Sequence, residues 1–144
     1  MVTQNVDDLH ERAGTTNIMH LHGEIRKARS TVDHSYIVDI DGPELNLGDK
    51  CPQGSQLRPH IVWFGEGVPM MDSAIREVEK ADRIIVVGTS LQVYPASSLV
   101  HYASPGAVIH LVDPNPPELR APNLEVLEMG AVKGLNTLLE RLTS

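Results

Sequence analysis

Aromatic residues are scarce in this sequence: they make up 3% of its 144 residues, whereas hydrophobic residues of all kinds make up 41%. A chain of this length buries one hydrophobic core of ordinary size. That core must therefore be built mainly from Val, Leu, Ile and Ala. With 22% charged residues, the composition is typical of a globular domain.

Long apolar runs and positive charge are also missing. No run approaches the roughly 20 residues that span a bilayer, and the sequence opens without a basic-then-apolar signal pattern. We therefore expect no membrane partner. The formal net charge of −7 argues against nucleic acid as a partner, because a nucleic-acid binder needs a basic face to displace counterions from phosphate.

Cysteine occurs once, as Cys51. A single thiol cannot form an internal disulfide, and its isolation fits a reducing compartment. We therefore expect the protein to be cytoplasmic.

Helical and strand patterns alternate along the second half of the chain. Short apolar segments predict strands at 83–88 ("RIIVVG"), 107–112 ("AVIHLV") and, more weakly, 124–129 ("LEVLEM"). The first is continuously apolar, which predicts a strand buried on both faces. Apolar residues at helical spacing predict helices at 70–82 and 132–142. Pro95, at a first helical position, predicts another at 95–103. This alternation predicts an α/β fold with a parallel sheet.

Residues 26–60 break the pattern, because they are rich in Asp, Gly, Pro and Ser. Only "SYIVDI" (35–40) is a possible strand there. We predict that this segment is a small inserted lobe.

Polar residues follow the first two predicted strands, at the sheet edge where ligands bind in parallel α/β folds. Gly88, Thr89 and Ser90 follow one strand, and Asp113 and Asn115 follow the next. A glycine permits close backbone approach, hydroxyls donate hydrogen bonds, and a carboxylate or amide bonds ribose hydroxyls. This pattern favours a nucleotide site, although Gly-Thr-Ser is also ordinary turn chemistry.

The segment "IMHLHG" (18–23) predicts a short strand with His20 and His22 on one face. His22 precedes Gly23, where the strand ends and an imidazole faces a cleft. Histidine is the natural general base near neutral pH. Two alternatives remain: a metal pair, for which no third ligand is spaced nearby, and two strand histidines that are merely hydrogen-bonded.

Four segments in register carry a family resemblance: "TQNVDDLHERAG", "HLHG", "RPHIVWFGEGVP" and "VVGTSLQVYPASSL". Together they resemble the sirtuin family of NAD-dependent protein deacylases, in particular the bacterial-type members, over essentially the whole chain. The resemblance implies a Rossmann-like sheet with a small lobe at 26–60. It also implies NAD as cofactor, an acyl-lysine protein or peptide as substrate, and nicotinamide, lysine and O-acyl-ADP-ribose as products.

The resemblance also implies residue roles. The family's catalytic base matches His22, which leaves a structural role for His20. Its contacts to the nicotinamide ribose match Gln4, Asn5 and Asp7. The rest of the implied NAD site comprises Gly88, Thr89, Ser90, Asp113, Asn115 and, at the adenine, Ala131.

The segment "VWFGE" (62–66) matches the family's substrate side, an open strand edge to which the acyl-lysine peptide adds. Strand alternation would place Val62 and Phe64 on one face as walls of an acyl tunnel, while the backbone of Gly65 and Glu66 pairs with the peptide. The alternative is a core strand in which Trp63 and Phe64 are fully buried.

The family's zinc-binding cysteine pairs are absent. Their positions match Ser30, Asp33, Cys51 and Gly54, and even with His34 nearby this set does not make a tetrahedral thiolate site. We expect no zinc and no other metal, and a lobe that is held by packing.

The family's glycine-rich segment Gly-Ala-Gly-x-Ser is also absent, and Gly-x-Gly occurs only at 65–67. The sequence therefore reads as a partial, N-terminally truncated sirtuin catalytic domain without the first strand and the pyrophosphate loop. Such a chain should bind NAD weakly, because two phosphate charges lack their N–H donors. It should also self-associate through an exposed sheet edge. The alternative function is an inactive fragment that binds acyl peptides or other copies of itself.

Overall fold

Twelve short helices and strands make up the protein in a computed structural model that describes all of residues 1–144. Contacts between residues group them into two units, Met1–Met70 and Met71–Ser144. The longest helix has 13 residues. No helix has the length and hydropathy that crossing a membrane requires.

The first unit contains two small sheets. Strand β1 pairs in parallel with β2, and a short helix, α1, lies between them in sequence. Strand β3 is the centre of an antiparallel sheet and pairs with β4 on one side and β5 on the other. The bounds are β1 Val2–Thr3, α1 Leu9–Arg12, β2 Met19–His20, β3 Gly23–Ser30, β4 Ile37–Asp39 and β5 Leu57–Ile61.

The second unit contains the predicted alternation of helix and strand. Its three strands form a parallel sheet in the order β6-β7-β8. The bounds are α2 Met71–Glu79, β6 Arg83–Val87, a 3₁₀ helix Ala96–Tyr102, β7 Val108–Val112, β8 Leu124–Leu127 and α3 Ala131–Thr143. The α/β class is confirmed. The segment predicted as helical at 95–103 is a 3₁₀ helix, and β8 ends two residues before the predicted boundary.

The prediction that the strand at 83–88 is buried on both faces is wrong. Strand β6 lies at the edge of its sheet, and Ile85 is 44% exposed. The central strand is β7, where Ile109, Leu111 and Val112 are almost fully buried. A continuous apolar run indicates a strand of a parallel sheet, but it carries no information about how many layers cover that strand.

Helix α3 packs closely against β7 at one glycine. Val112, Leu127 and Leu138 form the buried core of this contact. Gly134 is buried, and a Cβ added there would overlap the Cγ1 atom of Val112. A glycine in a helix costs about 1 kcal/mol relative to alanine, so its presence here is explained by the close approach of helix and strand.

A buried hydroxyl occupies the centre of the predicted lobe. Ser30 is fully buried, and its Oγ accepts hydrogen bonds from the backbone N–H groups of Val32 at 3.2 Å and Asp33 at 3.1 Å. The thiol of Cys51 donates to the same oxygen at 3.7 Å. The segment is therefore held by hydrogen bonds as well as by the packing that we expected. The bounds of the lobe, 26–60, stay a prediction.

We predict that Gly134→Ala destabilises the protein by about 1–3 kcal/mol, because the added methyl group overpacks against Val112. Ordinary helix propensity gives the opposite sign, a gain of about 1 kcal/mol. The measurement is urea unfolding. Asn136→Ala, at an exposed position of the same helix, is the control and should change stability little. A Gly134→Ala variant as stable as the parent would contradict the close contact.

We predict that Ser30→Ala lowers the free energy of unfolding by about 1–3 kcal/mol, since two backbone N–H groups and the buried Cys51 thiol lose their acceptor. Ser35→Ala is the matched control. Ser35 is exposed in the same turn, and its hydroxyl donates only to Asp33, so its loss should change stability by about 0.5 kcal/mol or less. Equal effects of the two substitutions in urea unfolding would refute this account.

Candidate functional site

His22 lies in the turn between β2 and β3. Strand β2 ends at His20, so the two histidines do not share a strand face, and that part of the prediction is wrong. The reason is Gly23, which adopts a φ of +82° and turns the chain. His22 thus lies in the turn that follows the strand and not at its last residue.

Backbone contacts on both sides fix this turn. The N–H of Leu21 donates to the carbonyl of Thr3 at 2.9 Å, and the carbonyl of His22 accepts from Val62 at 2.9 Å. A Cβ at Gly23 would collide with the carbonyl oxygen of His60 on β5. Glycine is therefore required here for its left-handed φ and also for the close approach of two strands.

The ring of His22 is held in one tautomer. Its Nδ1 lies 3.2 Å from the carbonyl oxygen of Gln4. A carbonyl only accepts hydrogen bonds, so Nδ1 carries the proton and Nε2 of the neutral ring has a free lone pair. This tautomer is the one that lets Nε2 take up a proton as a general base.

The ring of His20 has a different environment. Its side chain is 7% exposed, with Nδ1 3.0 Å from the carbonyl of Asn5 and Nε2 2.7 Å from Oε1 of Glu11. Burial disfavours the charged ring, but the Glu11 carboxylate and the Asn5 carbonyl outweigh it and raise the pKa of His20. The hydrogen bond from His20 lowers the pKa of Glu11. The protonated ring of His20 donates from both nitrogens, and its partner Glu11 is partly exposed.

The structure brings two carboxylates to His20 that the sequence analysis missed. Ligand atoms of Glu11, His20 and Glu24 lie within 4.8 Å of one another. Lys27 contacts Glu24 at 3.0 Å, however, and His20 contacts Glu11, so each carboxylate already has a cationic partner. We interpret the group as paired charges. The sequence did carry a signal for this contact, because Glu11 lies in "TQNVDDLHERAG" and His20 in "HLHG", which are neighbouring motifs of the family resemblance.

The residues at the family's zinc positions do not fit a zinc ion. The Ser30 hydroxyl is already bonded to two N–H groups and to the Cys51 thiol, and Gly54 offers no ligand atom. Asp33, His34 and Cys51 do not form a cluster of metal-ligating atoms. A hydrogen-bonded turn thus replaces a thiolate cage.

The segment Gln4 to Asp7 precedes α1 and is held mainly by its backbone. The N–H of Asn5 donates to Oγ1 of Thr3 at 3.1 Å, and Oδ1 of Asp7 accepts from the N–H of Leu9 at 3.1 Å. The side-chain amides of Gln4 and Asn5 have no partner in the protein. They are free to bond a ligand.

The prediction of a strand through 62–66 is wrong. Strand β5 ends at Ile61, and Phe64 and Gly65 form a turn that the N–H of Glu66 closes on the carbonyl of Trp63. Gly65 has a φ of +89°, which explains the turn. Phe64 is fully exposed and Trp63 is 54% exposed, so the alternative of a buried core strand is also wrong.

The carboxylate of Glu66 links two arginines. The register of β3 and β5 places Arg29 directly opposite Arg58, where like charges repel. Glu66 accepts from Arg58 at 2.5 Å and 3.1 Å, from the N–H of Trp63 at 3.0 Å and from Arg29 at 3.3 Å. The hydrogen bonds from Arg58, and then that from Trp63, lower the pKa of Glu66 to about 2.

In the second unit, the register of the parallel sheet joins two predicted residues. Val87 pairs with Val112, so Gly88 and Asp113 lie side by side at the carboxyl edge. Gly88 has a φ of +59° and donates its N–H to the carbonyl of Val112 at 3.2 Å. One carboxylate oxygen of Asp113 accepts from Asn115 at 2.8 Å, which leaves the other free.

The remaining predicted nucleotide contacts of this unit are Thr89, Ser90 and Ala131. Thr89 accepts from the N–H of Leu91 at 3.2 Å, and Ser90 is exposed. Ala131 is exposed in the first turn of α3, where backbone N–H groups have no partner within the helix. A separate cleft of about 350 Å³ is lined by the 3₁₀ helix and residues 118–120, and none of the predicted nucleotide contacts lines it.

The parallel sheet with flanking helices defines a Rossmann-like α/β protein. A model of the Sir2 family matches residues 1–95. The chain belongs to the Sir2 family, which confirms the resemblance to the sirtuins.

Curated relatives carry the same description. A protein from Aggregatibacter actinomycetemcomitans, named NAD-dependent protein deacylase, is 57% identical over 81% of this chain and 55% of its own length. A protein of the same name from Bacteroides thetaiotaomicron is 47% identical over 99% of the chain and 63% of its own length. The chain thus spans about 60% of the length of these relatives.

Solved structures of the family share the fold. A mutant Sir2 homologue in complex with ADP-ribose has a TM-score of 0.84 at 41% identity, over 99% of this chain and 59% of the other. A Sir2 homologue in complex with NAD has a TM-score of 0.80 at 39% identity, over 99% and 57%. A Sir2–p53 peptide–NAD⁺ complex has a TM-score of 0.77 at 29% identity, over 99% and 63%.

We predict that Glu66→Gln removes a pH dependence of stability. The pKa of Glu66 is lowered to about 2 from about 4.5, so its contribution is present above about pH 4.5 and is lost as the pH falls toward 2. The measurement is the urea midpoint across that range. The variant should be less stable than the parent above pH 4.5, and the difference should shrink in acid. Glu44→Gln, with no ion pair, is the control. A constant difference at all pH values would contradict the arginine bridge.

Proposed function

We propose that this chain supplies the general base, the nucleotide contacts and the peptide contacts of an NAD-dependent protein deacylase. Such an enzyme releases nicotinamide, lysine and O-acyl-ADP-ribose from an acyl-lysine protein, NAD and water. The observation that carries the proposal is the ring of His22, whose Nδ1 is bonded to the Gln4 carbonyl and whose Nε2 is free. Membership of the Sir2 family and the names of the relatives support it.

In this proposal, His22 removes a proton from a ribose hydroxyl. NAD, when bound, supplies a ribose carbon from which nicotinamide departs and to which the acyl oxygen adds. A general base contributes about 10²- to 10⁴-fold to such a reaction. The ring needs no rearrangement before it acts, because the Gln4 carbonyl already selects the tautomer with an unprotonated Nε2.

The NAD contacts that we propose fit the donor and acceptor groups of each unit. In the first unit, the free amides of Gln4 and Asn5 and the second oxygen of Asp7 suit the nicotinamide ribose and its carboxamide. In the second unit, the proposed contacts to the adenosine half are Gly88, Thr89, Ser90, Asp113, Asn115 and Ala131. The space beside Gly88 is open, and Asp113 has an oxygen free for a ribose hydroxyl.

The acyl-lysine peptide is proposed to bind at residues 62–66. Val62 and Trp63 lie beyond the end of β5, and the exposed ring of Phe64 offers apolar surface to an acyl chain. Glu66 supports this segment, because its carboxylate accepts from the N–H of Trp63 and from Arg29 and Arg58 on β3 and β5. A family member in complex with a p53 peptide supports a peptide substrate.

The alternative of an inactive peptide-binding module is not favoured, because the similar curated proteins are named as deacylases. Self-association through a sheet edge stays a prediction. A cytoplasmic location is likewise proposed, on the support of the one unpaired cysteine.

We predict that His22→Ala lowers deacylation of an acetyl-lysine peptide by about 10²- to 10⁴-fold in the gene product that carries this chain. The measurement is release of nicotinamide and free-lysine peptide, followed by chromatography. His34→Ala, an exposed histidine in the same unit, is the control and should keep full activity. ADP-ribose binding, measured by calorimetry, should persist in the His22 variant. Activity that survives the loss of His22 would end the proposal.

A further inference from the structure

Two consecutive backbone carbonyls in the first unit each accept a hydrogen bond from an imidazole. The carbonyl of Gln4 accepts from Nδ1 of His22 at 3.2 Å, and the carbonyl of Asn5 accepts from Nδ1 of His20 at 3.0 Å. The two carbonyls belong to adjacent peptide units that meet at the Cα of Asn5, so the two rings contact neighbouring parts of one short segment. Only φ and ψ of Asn5 separate the two planar units, and the Asn5 N–H, which shares its plane with the Gln4 carbonyl, donates to Oγ1 of Thr3 at 3.1 Å. Anchoring the Asn5 carbonyl therefore narrows the positions that are open to the Gln4 carbonyl.

His20 is the better anchored of the two rings. Its side chain is 7% exposed, and its second nitrogen contacts Oε1 of Glu11 on α1 at 2.7 Å. A charged hydrogen bond of this length is stronger than a neutral one. The Glu11–His20 pair thus ties α1, β2 and the Asn5 carbonyl together.

We propose that the Glu11–His20 ion pair positions His22. The pair holds the Gln4–Asn5 backbone, and the Gln4 carbonyl thereby keeps His22 in the tautomer with Nε2 unprotonated. His22's role as base rests on the function proposed above. The coupling between the two rings does not, because it follows from hydrogen bonds within the first unit.

The charges around the pair favour the protonated form of His20. Glu11 faces the ring from α1 and Glu24 from β3, and Lys27 pairs with Glu24. His10 is the other titratable neighbour of Glu11. The pKa of His20 is raised and that of Glu11 is lowered, so the ion pair is complete between the two values. Above the pKa of His20, its neutral Nε2 turns a lone pair toward the carboxylate, and the pair weakens.

The test is to read the tautomer of His22 directly by long-range proton–nitrogen NMR of its ring. The parent chain should show a protonated Nδ1 and an unprotonated Nε2 at neutral pH. Glu11→Ala should shift the ring nitrogens of His22 toward a mixture of tautomers. Glu11→Gln, which keeps an acceptor without charge, should give a smaller shift in the same direction.

Arg12→Ala is the matched control. Arg12 lies on the same helix, its side chain is 69% exposed, and its contact to Asp8 is 3.9 Å long. The ring nitrogens of His22 should be unchanged in this variant. Amide spectra identify the variants that remain folded.

A second measurement covers the case in which Glu11→Ala unfolds. Raising the pH of the parent protein through the pKa of His20 should produce the same drift of the His22 ring nitrogens, and the midpoint of the drift should match that of His20. Unchanged His22 nitrogens in folded Glu11 variants, or a His22 signal that ignores the His20 titration, would overturn the proposal. Neither NMR measurement requires NAD, so a protein without deacylase activity still tests the coupling between His20 and His22.

Discussion

The hydrogen bond between the His22 ring and the Gln4 carbonyl is the constraint on which the first unit depends. A ring nitrogen that faces a carbonyl must carry the proton, and this fixes the chemistry of the opposite nitrogen. The pairing of β1 with β2 and the left-handed turn at Gly23 place these two groups together. Short strands of two residues are sufficient, because backbone hydrogen bonds flank the turn on both sides.

In the second unit the corresponding constraint is the register of the parallel sheet. The pairing of Val87 with Val112 brings Gly88 next to Asp113, and that of Val112 with Leu127 continues toward the start of α3. The close contact of Gly134 with Val112 then sets the distance between the helix and the sheet. The backbone geometry of the sheet therefore places Gly88 and Asp113 next to each other without any side-chain contact between them.

Much of this architecture could be predicted from the sequence. Apolar patterns indicate the strands and helices, and the four motifs in register indicate the family. The structure corrected what depends on tertiary contacts. The family resemblance implied a strand edge through Phe64, but the chain turns there at Gly65. The continuous apolar run predicted burial of Ile85 that an edge strand does not provide. The role of Glu66 was also missed, since the opposition of Arg29 and Arg58 exists only once β3 and β5 are in register.

The turn around Ser30 bears on how the protein responds to its chemical surroundings. Where a structural site is built from thiolates, its integrity depends on metal supply, on chelators and on oxidants, because thiolates are the forms that bind and oxidise. A serine hydroxyl has none of these reactions. Since Ser30 and its N–H donors carry this turn, and the thiol of Cys51 is buried beside them, the segment is organised by the chain itself. Its shape then rests on hydrogen bonds around one hydroxyl, and the Cys51 thiol that donates to that hydroxyl is the one group there that an oxidant could change.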